Sequence, residues 1–192
     1  LREPMESGEV VISRAVSKVR FPAKFQLVAA MNPSPTGFYN DNRSTPDQVL
    51  RYLNRLSGPF IDRIDIQLEV TRLPKGSWSQ SIVGNETSKH VRQRVVECRS
   101  RQLQRQGKAN AHLTSAELRS YCGLVTDDAD FLELAVEKLG LSTRAHHKIL
   151  KISRTIADME AKQNIEKSHL IEALSYRAMD RLLRHLSDAV HS

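Results

Sequence analysis

Residues 25–33 read Phe-Gln-Leu-Val-Ala-Ala-Met-Asn-Pro, a nearly continuous apolar run that ends at an asparagine and a proline. A continuous apolar pattern is typical of a strand covered on both faces, as in a parallel α/β sheet, whereas alternation indicates one wet face. We therefore predict a buried strand over residues 25–31. Ligands of open α/β sheets bind at the carboxyl ends of strands, so Asn32 is a candidate to face a substrate or a water. On spacing alone, it also fits a turn residue that caps the following loop.

Around this run, the first 75 residues indicate mixed α and β structure. Residues 9–14 and 17–21 are β-branched segments that predict a hairpin. Thr45 can cap a helix that has Pro46 at its first position, and this helix should end at Ser57-Gly58-Pro59. Residues 64–70 alternate between apolar and polar side chains, which predicts a strand.

Beyond residue 75 the sequence predicts helices. They are expected over about 88–106, after the capping-box sequence Thr114-Ser115-Ala116-Glu117, over about 127–139, from Ser142, and over about 167–186. The helix from Ser142 carries one apolar stripe, made of Ala145, Ile149, Ile152, Ile156 and Met159. We predict a partial α/β core over 1–75, a Gly- and Ser-containing linker over 76–86, and a helical bundle over 87–192.

The composition narrows the class of protein. The 192 residues include 29 basic and 22 acidic side chains, a net charge of +7, so nucleic acids and nucleotide phosphates are the first partners to consider. No apolar run approaches the roughly 18 residues of a membrane span. Cys98 and Cys122 lack the spacing of a metal or redox motif and are expected to be packing residues in a reducing compartment.

The sequence contains no motif typical of a catalytic nucleophile or of a metal-binding site. There is no Gly-x-Ser-x-Gly motif, and no cysteine is paired with an obvious histidine. His146 and His147 are adjacent, so on a helix they diverge by about 100° and cannot chelate one metal ion together. We therefore expect no metal site.

Two arginines stand out instead. Arg63 lies between two carboxylates, Asp62 and Asp65, just before a predicted strand; it is either part of a local ion pair or presented to a phosphate across a subunit interface. Arg144 falls in the first turn of the helix from Ser142, where a cation opposes the helix dipole and a bound phosphate would be favoured. The alternative is an ordinary solvated helix face.

One predicted helix is strongly basic. Residues 89–108 contain seven basic side chains and one acid, Glu97. Val91, Val95 and Cys98 should form the strip by which this helix docks, with basic flanks in solvent. The candidates for contacting DNA phosphates are Arg92, Arg94, Arg99, Arg101, Arg105 and Lys108. The alternative is that the charges only keep the helix solvated.

Three groups of segments, taken in order, carry a resemblance. The first is Arg2–Glu6, Ile12–Ala15 and Phe21–Pro33; the second is Ser57-Gly58-Pro59-Phe60-Ile61-Asp62-Arg63-Ile64-Asp65; the third is Leu141–Ala145 with Ile149–Lys151 and Arg154–Asp158. They resemble the magnesium-chelatase subunit I family of AAA+ ATPases, and within it the bacterial ComM branch. The resemblance covers nearly the whole chain.

The resemblance implies a role for each of three residues. Asn32 matches the sensor 1 asparagine, which would orient the attacking water. Arg63 matches the arginine finger, offered in trans to the γ-phosphate held by a neighbouring subunit. Arg144 matches the sensor 2 arginine of the lid, which contacts phosphate. The hairpin over residues 9–21 matches the pre-sensor 1 insertion.

For the parent protein, the resemblance implies ATP and Mg²⁺ as cofactors, a hexameric ring, a bacterial cytoplasmic location, and ATP-driven DNA helicase and branch-migration activity in natural transformation. Two alternatives stay open. One is a chelatase-like ATPase that acts on a partner protein, and the other is a stand-alone helical module that binds DNA or protein.

Two elements of the family are expected but absent from the sequence. There is no Gly-x-x-x-x-Gly-Lys-[Ser/Thr] loop, and no apolar run ends in the Asp-Glu pair that binds Mg²⁺. In the family both lie upstream, so we expect this chain to be the C-terminal portion of an ATPase, unable to hydrolyse ATP alone. The family also often reads Asn-Pro-Cys-Pro-Cys-Gly where this chain has Asn32-Pro33-Ser34-Pro35-Thr36-Gly37, which excludes a role for those cysteines here.

Overall fold

A computed structural model describes residues 1–14, 17–37, 43–71 and 86–191. The chain divides into two compact units: the N-terminal unit, Leu1–Ile64 with Met179–Ser192, and the helical unit, Asp65–Ala178. Most of the predicted linker over 76–86 lies outside the described residues. The boundary predicted near residue 75 stays a prediction.

The N-terminal unit begins with a short helix and the predicted hairpin. Helix α1 (Arg2–Ser7) ends at Gly8, whose φ of 70° is a left-handed conformation that glycine adopts without steric cost. Strands β1 (Glu9–Arg14) and β2 (Ser17–Pro22) then pair antiparallel, from Glu9 opposite Pro22 to Arg14 opposite Ser17. The hairpin prediction is confirmed.

The buried strand predicted over residues 25–31 is wrong for this structure. Residues 23–33 have no regular secondary structure, and Phe25, Val28 and Met31 are 48%, 84% and 44% exposed. A strand is stable only when a neighbour accepts and donates its backbone hydrogen bonds. Among the described residues, the only strands that pair are β1 and β2, so the run has no sheet to join.

The remaining N-terminal unit is helical. Helix α2 (Pro46–Leu53) has the predicted start, with Thr45 and Gln48 forming a reciprocal capping box. It ends four residues before the predicted stop, and a separate short helix α3 (Gly58–Ile61) follows. Val49 and Leu53 of α2 pack with Leu186 in the core of this unit.

The helical unit consists of helices joined by short connections. They are α4 (Ser88–Gln106), a 3₁₀ turn (Asn110–His112), α5 (Ser115–Tyr121), α6 (Thr126–Lys138), α7 (Thr143–Met159) and α8 (Lys167–Ser175). The predicted caps are present: Thr114 and Glu117 form the capping box of α5, and the Ser142 side chain accepts the Ala145 N–H at 3.1 Å. The helical second half is confirmed.

Helix α7 lies at the centre of this unit. Ala145, Ile149 and Ile156 of the predicted stripe are buried and Ile152 is half-buried, whereas Met159 is 48% exposed. The core around α7 also takes Leu118, Leu132, Leu170 and other side chains of α5, α6 and α8.

Two further predictions need correction. Residues 64–70 do not form a strand; Gln67 alone makes an isolated parallel bridge with Arg177. The helix predicted over about 167–186 is two helices, α8 and α9 (Ala178–His191), because the backbone between them bonds to Gln67 instead of continuing the helix. No helix in the described ranges combines the length and apolar character needed to cross a membrane.

Both cysteines are buried, as expected of packing residues. Burial raises the pKa of the Cys122 thiol to about 11, against the weaker opposing effect of the Arg154 and Arg105 charges. Burial also raises the pKa of Cys98. Neither thiol has the lowered pKa of a reactive cysteine.

Candidate functional site

Asn32 lies at the exposed end of the irregular segment, immediately before a tight turn. In that turn the Gly37 N–H donates to the Ser34 carbonyl at 3.2 Å, and Gly37 has a φ of 100°. The Ser34 side chain is buried, with its hydroxyl 3.2 Å from that of Thr36. The turn therefore fixes the chain just after Asn32 and leaves the amide side chain in solvent.

Arg63 follows helix α3 and is largely buried, with 15% of its side chain exposed. It forms an ion pair with Glu6 of α1, with Nη2 of Arg63 2.5 Å from Oε2 of Glu6, a partner that lies far from Arg63 in the sequence. Nη1 donates to the Pro59 carbonyl, also at 2.5 Å. The guanidinium is thus oriented by an ion pair and a backbone acceptor within the N-terminal unit.

Arg144 is an exposed residue in the first turn of α7, in the helical unit. The N-terminus of a helix carries partial positive charge, so a guanidinium there costs a few tenths of a kcal/mol unless an anion is close. Such a position suits the binding of a phosphate group. The structure brings Asn32 and Arg63 into one unit and places Arg144 in the other.

The basic residues of α4 separate into two sets. Arg92 and Arg99 are exposed, seven residues apart on one face, and Arg94 forms an exposed ion pair with Glu86 at 2.7 Å. The other set turns toward the rest of the helical unit. Arg101 donates to the Asp158 carbonyl at 2.9 Å, and Lys108 lies 2.7 Å from Glu117.

The docking strip predicted for α4 is only partly present. Cys98 is buried, as expected, but Val91 and Val95 are 40% and 51% exposed. Gln102, one turn after Cys98, is buried in their place and accepts the Asn110 N–H at 2.9 Å. All side chains of residues 88–97 are exposed, so α4 docks through its C-terminal half.

Arg105 contributes to a buried polar network. Its Nη1 and Nη2 bind the two carboxylate oxygens of Asp158 at 2.5 and 2.9 Å, a bidentate pair. Arg154, one turn before Asp158 on α7, lies 3.0 Å from the same carboxylate and donates to the carbonyls of Gln163 and Lys162. Asn110 completes the network by donating to Asp158 at 2.9 Å.

Two carboxyl groups in and near this network, those of Asp158 and Glu117, have pKa values below their usual range. Burial raises the pKa of Asp158, but the hydrogen bonds from Arg105 and Asn110 and the charge of Arg154 outweigh it, so the pKa lies below its usual value. Near the edge of the network, the hydrogen bond from Lys108 and those from Thr114 lower the pKa of Glu117 to about 2. Asp158 is therefore an anion that holds α4, the 3₁₀ turn and α7 together.

Sequence reasoning did not identify Asp158, Asn110 and Gln102 as a cluster. One signal was present: Arg154 and Asp158 are four residues apart on α7, the spacing of an ion pair on one helix face. The side chains of Asn110 and Arg105, which also bind the Asp158 carboxylate, are 48 and 53 positions from it in the sequence, beyond the reach of local patterns.

A second ion pair involves the segment that follows Arg63. Nζ of Lys148, on α7, lies 2.5 Å from Oδ1 of Asp65, within the helical unit. The lysine side chain is 16% exposed and the aspartate 66%. As for metal ions, the described ranges contain no group of three or more His, Cys, Asp or Glu side chains able to hold one.

Comparison with known proteins accounts for almost the entire sequence. The family model described as magnesium chelatase, subunit ChlI matches residues 1–78, and the model of the subunit ChlI C-terminal region matches residues 85–177. The chain is 57% identical to the competence protein ComM of Haemophilus influenzae over 190 residues, and 55% identical to YifB of Escherichia coli over 188. An uncharacterised Mycobacterium tuberculosis protein is 31% identical over 183 residues.

These alignments cover 98%, 97% and 92% of this chain, but only 37%, 37% and 36% of the relatives. The chain therefore spans little more than a third of the length of the curated proteins that it matches. Together the two family models match residues 1–78 and 85–177. The chain belongs to the magnesium chelatase subunit I (ChlI)-type family of AAA+ proteins, and it is similar to ComM and YifB over nearly all of its residues.

Proposed function

We propose that this chain is the nucleotide-sensing and DNA-contacting part of an ATP-driven, ring-forming DNA helicase that acts in branch migration and competence. The observation that carries the proposal is the 57% identity to a competence protein over 190 residues, a length that includes the positions of Asn32, Arg63 and Arg144. In this proposal the full-length protein supplies the phosphate-binding loop and the Mg²⁺ ligands, and this chain does not hydrolyse ATP alone.

Each of the three residues has a separate task in the proposed reaction. ATP with Mg²⁺ supplies the phosphoryl group and the charge compensation of its oxygens. Asn32 orients the attacking water, and Arg144 binds phosphate at the N-terminus of α7. Arg63 stabilises the charge that develops on the γ-phosphate bound to the neighbouring subunit.

The placement of Arg144 supports its task. Arg144 is exposed in the first turn of α7, where the partial positive charge of the helix N-terminus favours a bound anion, so its guanidinium is placed where a phosphate would be bound. In the full-length protein, Arg144→Ala should lower ATP affinity and abolish ATP-driven branch migration of a four-way DNA junction, with the melting temperature unchanged. Arg119→Ala, another exposed arginine of the helical unit, is the matched control. Normal branch migration by Arg144→Ala would contradict the proposal.

For DNA, the exposed side chains of α4 are the better candidates. Arg92 and Arg99 share one solvent-facing surface, whereas Arg101, Arg105 and Lys108 bind Asp158 or Glu117 in the helical unit. A side chain already bonded to a carboxylate or a backbone carbonyl of the protein has less to offer a phosphate. We therefore assign DNA phosphate contacts chiefly to Arg92 and Arg99, and not to Arg94, which is paired with Glu86 and points away from the face of Arg92.

Salt dependence tests this assignment. The double variant Arg92→Gln/Arg99→Gln should bind DNA more weakly and reduce the slope of log affinity against log salt by about 2, since each lost phosphate contact removes about 0.9. Fluorescence anisotropy with a labelled duplex at several salt concentrations measures both quantities. The control Arg119→Gln/Lys138→Gln removes the same charge from other exposed positions of the helical unit. Equal losses in both double variants would show a general charge effect and overturn the assignment.

A further inference from the structure

Helix α1 contacts the segment that carries Arg63 at two points. Its residues Arg2 and Glu6 are four positions apart, so both side chains lie on one face of the helix. Nη2 of Arg2 donates to Oγ of Ser57, the N-cap of α3, at 2.6 Å. Oε2 of Glu6 lies 2.5 Å from Nη2 of Arg63, which follows the end of α3. One face of α1 therefore contacts both ends of segment 57–63, and all of these residues belong to the N-terminal unit.

The position of Glu6 is fixed by backbone hydrogen bonds at the end of α1. The Gly8 N–H donates to the Pro4 carbonyl at 3.0 Å and ends the helix. The Gly8 carbonyl accepts the N–H of Ala23, the residue that follows strand β2, at 2.7 Å. Because Gly8 lies only two residues after Glu6, the carboxylate is carried by a backbone that is tied to both ends of the β1–β2 hairpin.

The two contacts of the Arg63 guanidinium come from different elements. Nη1 donates to the Pro59 carbonyl, within the segment that carries Arg63, and Nη2 donates to the Glu6 carboxylate of α1, each at 2.5 Å. A guanidinium is a planar group whose N–H donors have fixed directions, so it can pivot about one acceptor but is held in its plane by two. Glu6 supplies the acceptor that lies outside the segment.

We infer that Glu6 is a positioning residue for Arg63: it holds the guanidinium in the orientation from which the finger reaches the nucleotide of the neighbouring subunit. The inference rests on the proposed function, in which Arg63 is the arginine finger. In this role Glu6 contacts neither the nucleotide nor the reacting atoms and acts only through Arg63. A misplacement of about 1 Å at a catalytic group can cost about 100-fold in rate, so a single orienting contact is sufficient to matter.

The exposure of the pair favours a positioning role over a stabilising one. The Glu6 side chain is 46% exposed, and ion pairs with such an exposed partner contribute little to folding. No residue of α1 is fully buried, so this helix is held in place by polar contacts more than by an apolar core. Removal of the Glu6 carboxylate should therefore change the orientation of the guanidinium with little loss of stability.

Steady-state ATP hydrolysis by the full-length protein tests the inference. Glu6→Ala removes the acceptor and should lower kcat about tenfold, with KM for ATP and the melting temperature unchanged. Glu6→Gln keeps an acceptor oxygen at the same place and should recover most of kcat. Glu3→Ala removes another exposed glutamate of α1 and is the matched control, which should keep the wild-type rate.

Combination with Arg63→Ala separates positioning from structural support. If Glu6 acts only through the finger, Glu6→Ala causes no further loss of kcat once the guanidinium is absent. The inference would be overturned by a further loss on that background, by a lowered melting temperature, by a Glu6→Gln rate no better than that of Glu6→Ala, or by a Glu6→Ala rate at or above that of the wild type. Failure of the proposed function is distinguishable, because Arg63→Ala would then itself leave ATP hydrolysis unchanged.

Discussion

Replacing Arg63 by alanine should lower the ATPase rate of the full-length protein by about 1,000-fold or more, because an arginine finger stabilises charge that develops only in the transition state. KM for ATP should change little, since the finger acts on the transition state and not on nucleotide binding. Arg63→Lys should not restore the rate, because an ammonium group lacks the planar, forked donors of a guanidinium. Coupled-enzyme assays at saturating ATP measure the effect.

The ion pair of Arg63 with Glu6 calls for its own control. Glu6→Gln removes the charged partner within the N-terminal unit but leaves the guanidinium in place. If Arg63 serves catalysis, this variant keeps a rate far above that of Arg63→Ala, because the glutamine oxygen still accepts a hydrogen bond from the guanidinium. Arg55→Ala removes an exposed arginine from the same unit and should have no effect. A rate for Glu6→Gln as low as that for Arg63→Ala would show that the ion pair itself is what the protein needs.

The second large effect concerns stability. Asp158→Asn should destabilise the helical unit by about 3–5 kcal/mol, because Arg105 and Arg154 would keep their charges in a buried site without the carboxylate that balances them. Hydrogen exchange measured on peptides from α4 and α7 reports this unit separately. Asp130→Asn, an exposed position on α6, should change stability by no more than about 0.5 kcal/mol. Equal protection in both variants would show that the network contributes nothing to the fold.

The same carboxylate predicts a pH dependence with a definite sign. The folded-state pKa of Asp158 lies below its ordinary value of 3.8, so its contribution to stability is fully present above about pH 4. That contribution is lost as the pH falls through the lower, folded-state pKa. Wild-type protection of α4 and α7 should therefore decline below pH 4 more steeply than that of Asp158→Asn.

Local structure in the helical unit could be predicted from the sequence because each signal is local. The Thr114–Glu117 box and the Ser142 cap both start helices where expected, and a period of 3.6 residues identified the buried face of α7. The strand predictions over residues 25–31 and 64–70 were wrong because strand formation depends on residues distant in the sequence. An apolar run such as 25–31 indicates burial, but whether it becomes a strand depends on neighbours that its own residues do not specify.

In the candidate site, too, the sequence identified individual residues, and their interaction partners came only from the structure. Spacing alone left Asn32, Arg63 and Arg144 with ordinary structural interpretations, and the family resemblance supplied their roles, which remain proposals. The partner of Arg63 required the structure, since Glu6 lies 57 positions away in the sequence. Likewise, the charge of α4 was evident, but which arginines bind Asp158 was not.

The central claim is that Arg63 acts across a subunit interface on a nucleotide contacted by the neighbour's Arg144. It can be tested by mixing Arg63→Ala and Arg144→Ala subunits of the full-length protein before ring assembly. At each head-to-tail interface, random mixing joins an intact Arg63 to an intact Arg144 in about one quarter of cases, so the mixture should recover about one quarter of wild-type ATPase activity. A mixture no more active than either variant alone would contradict the account.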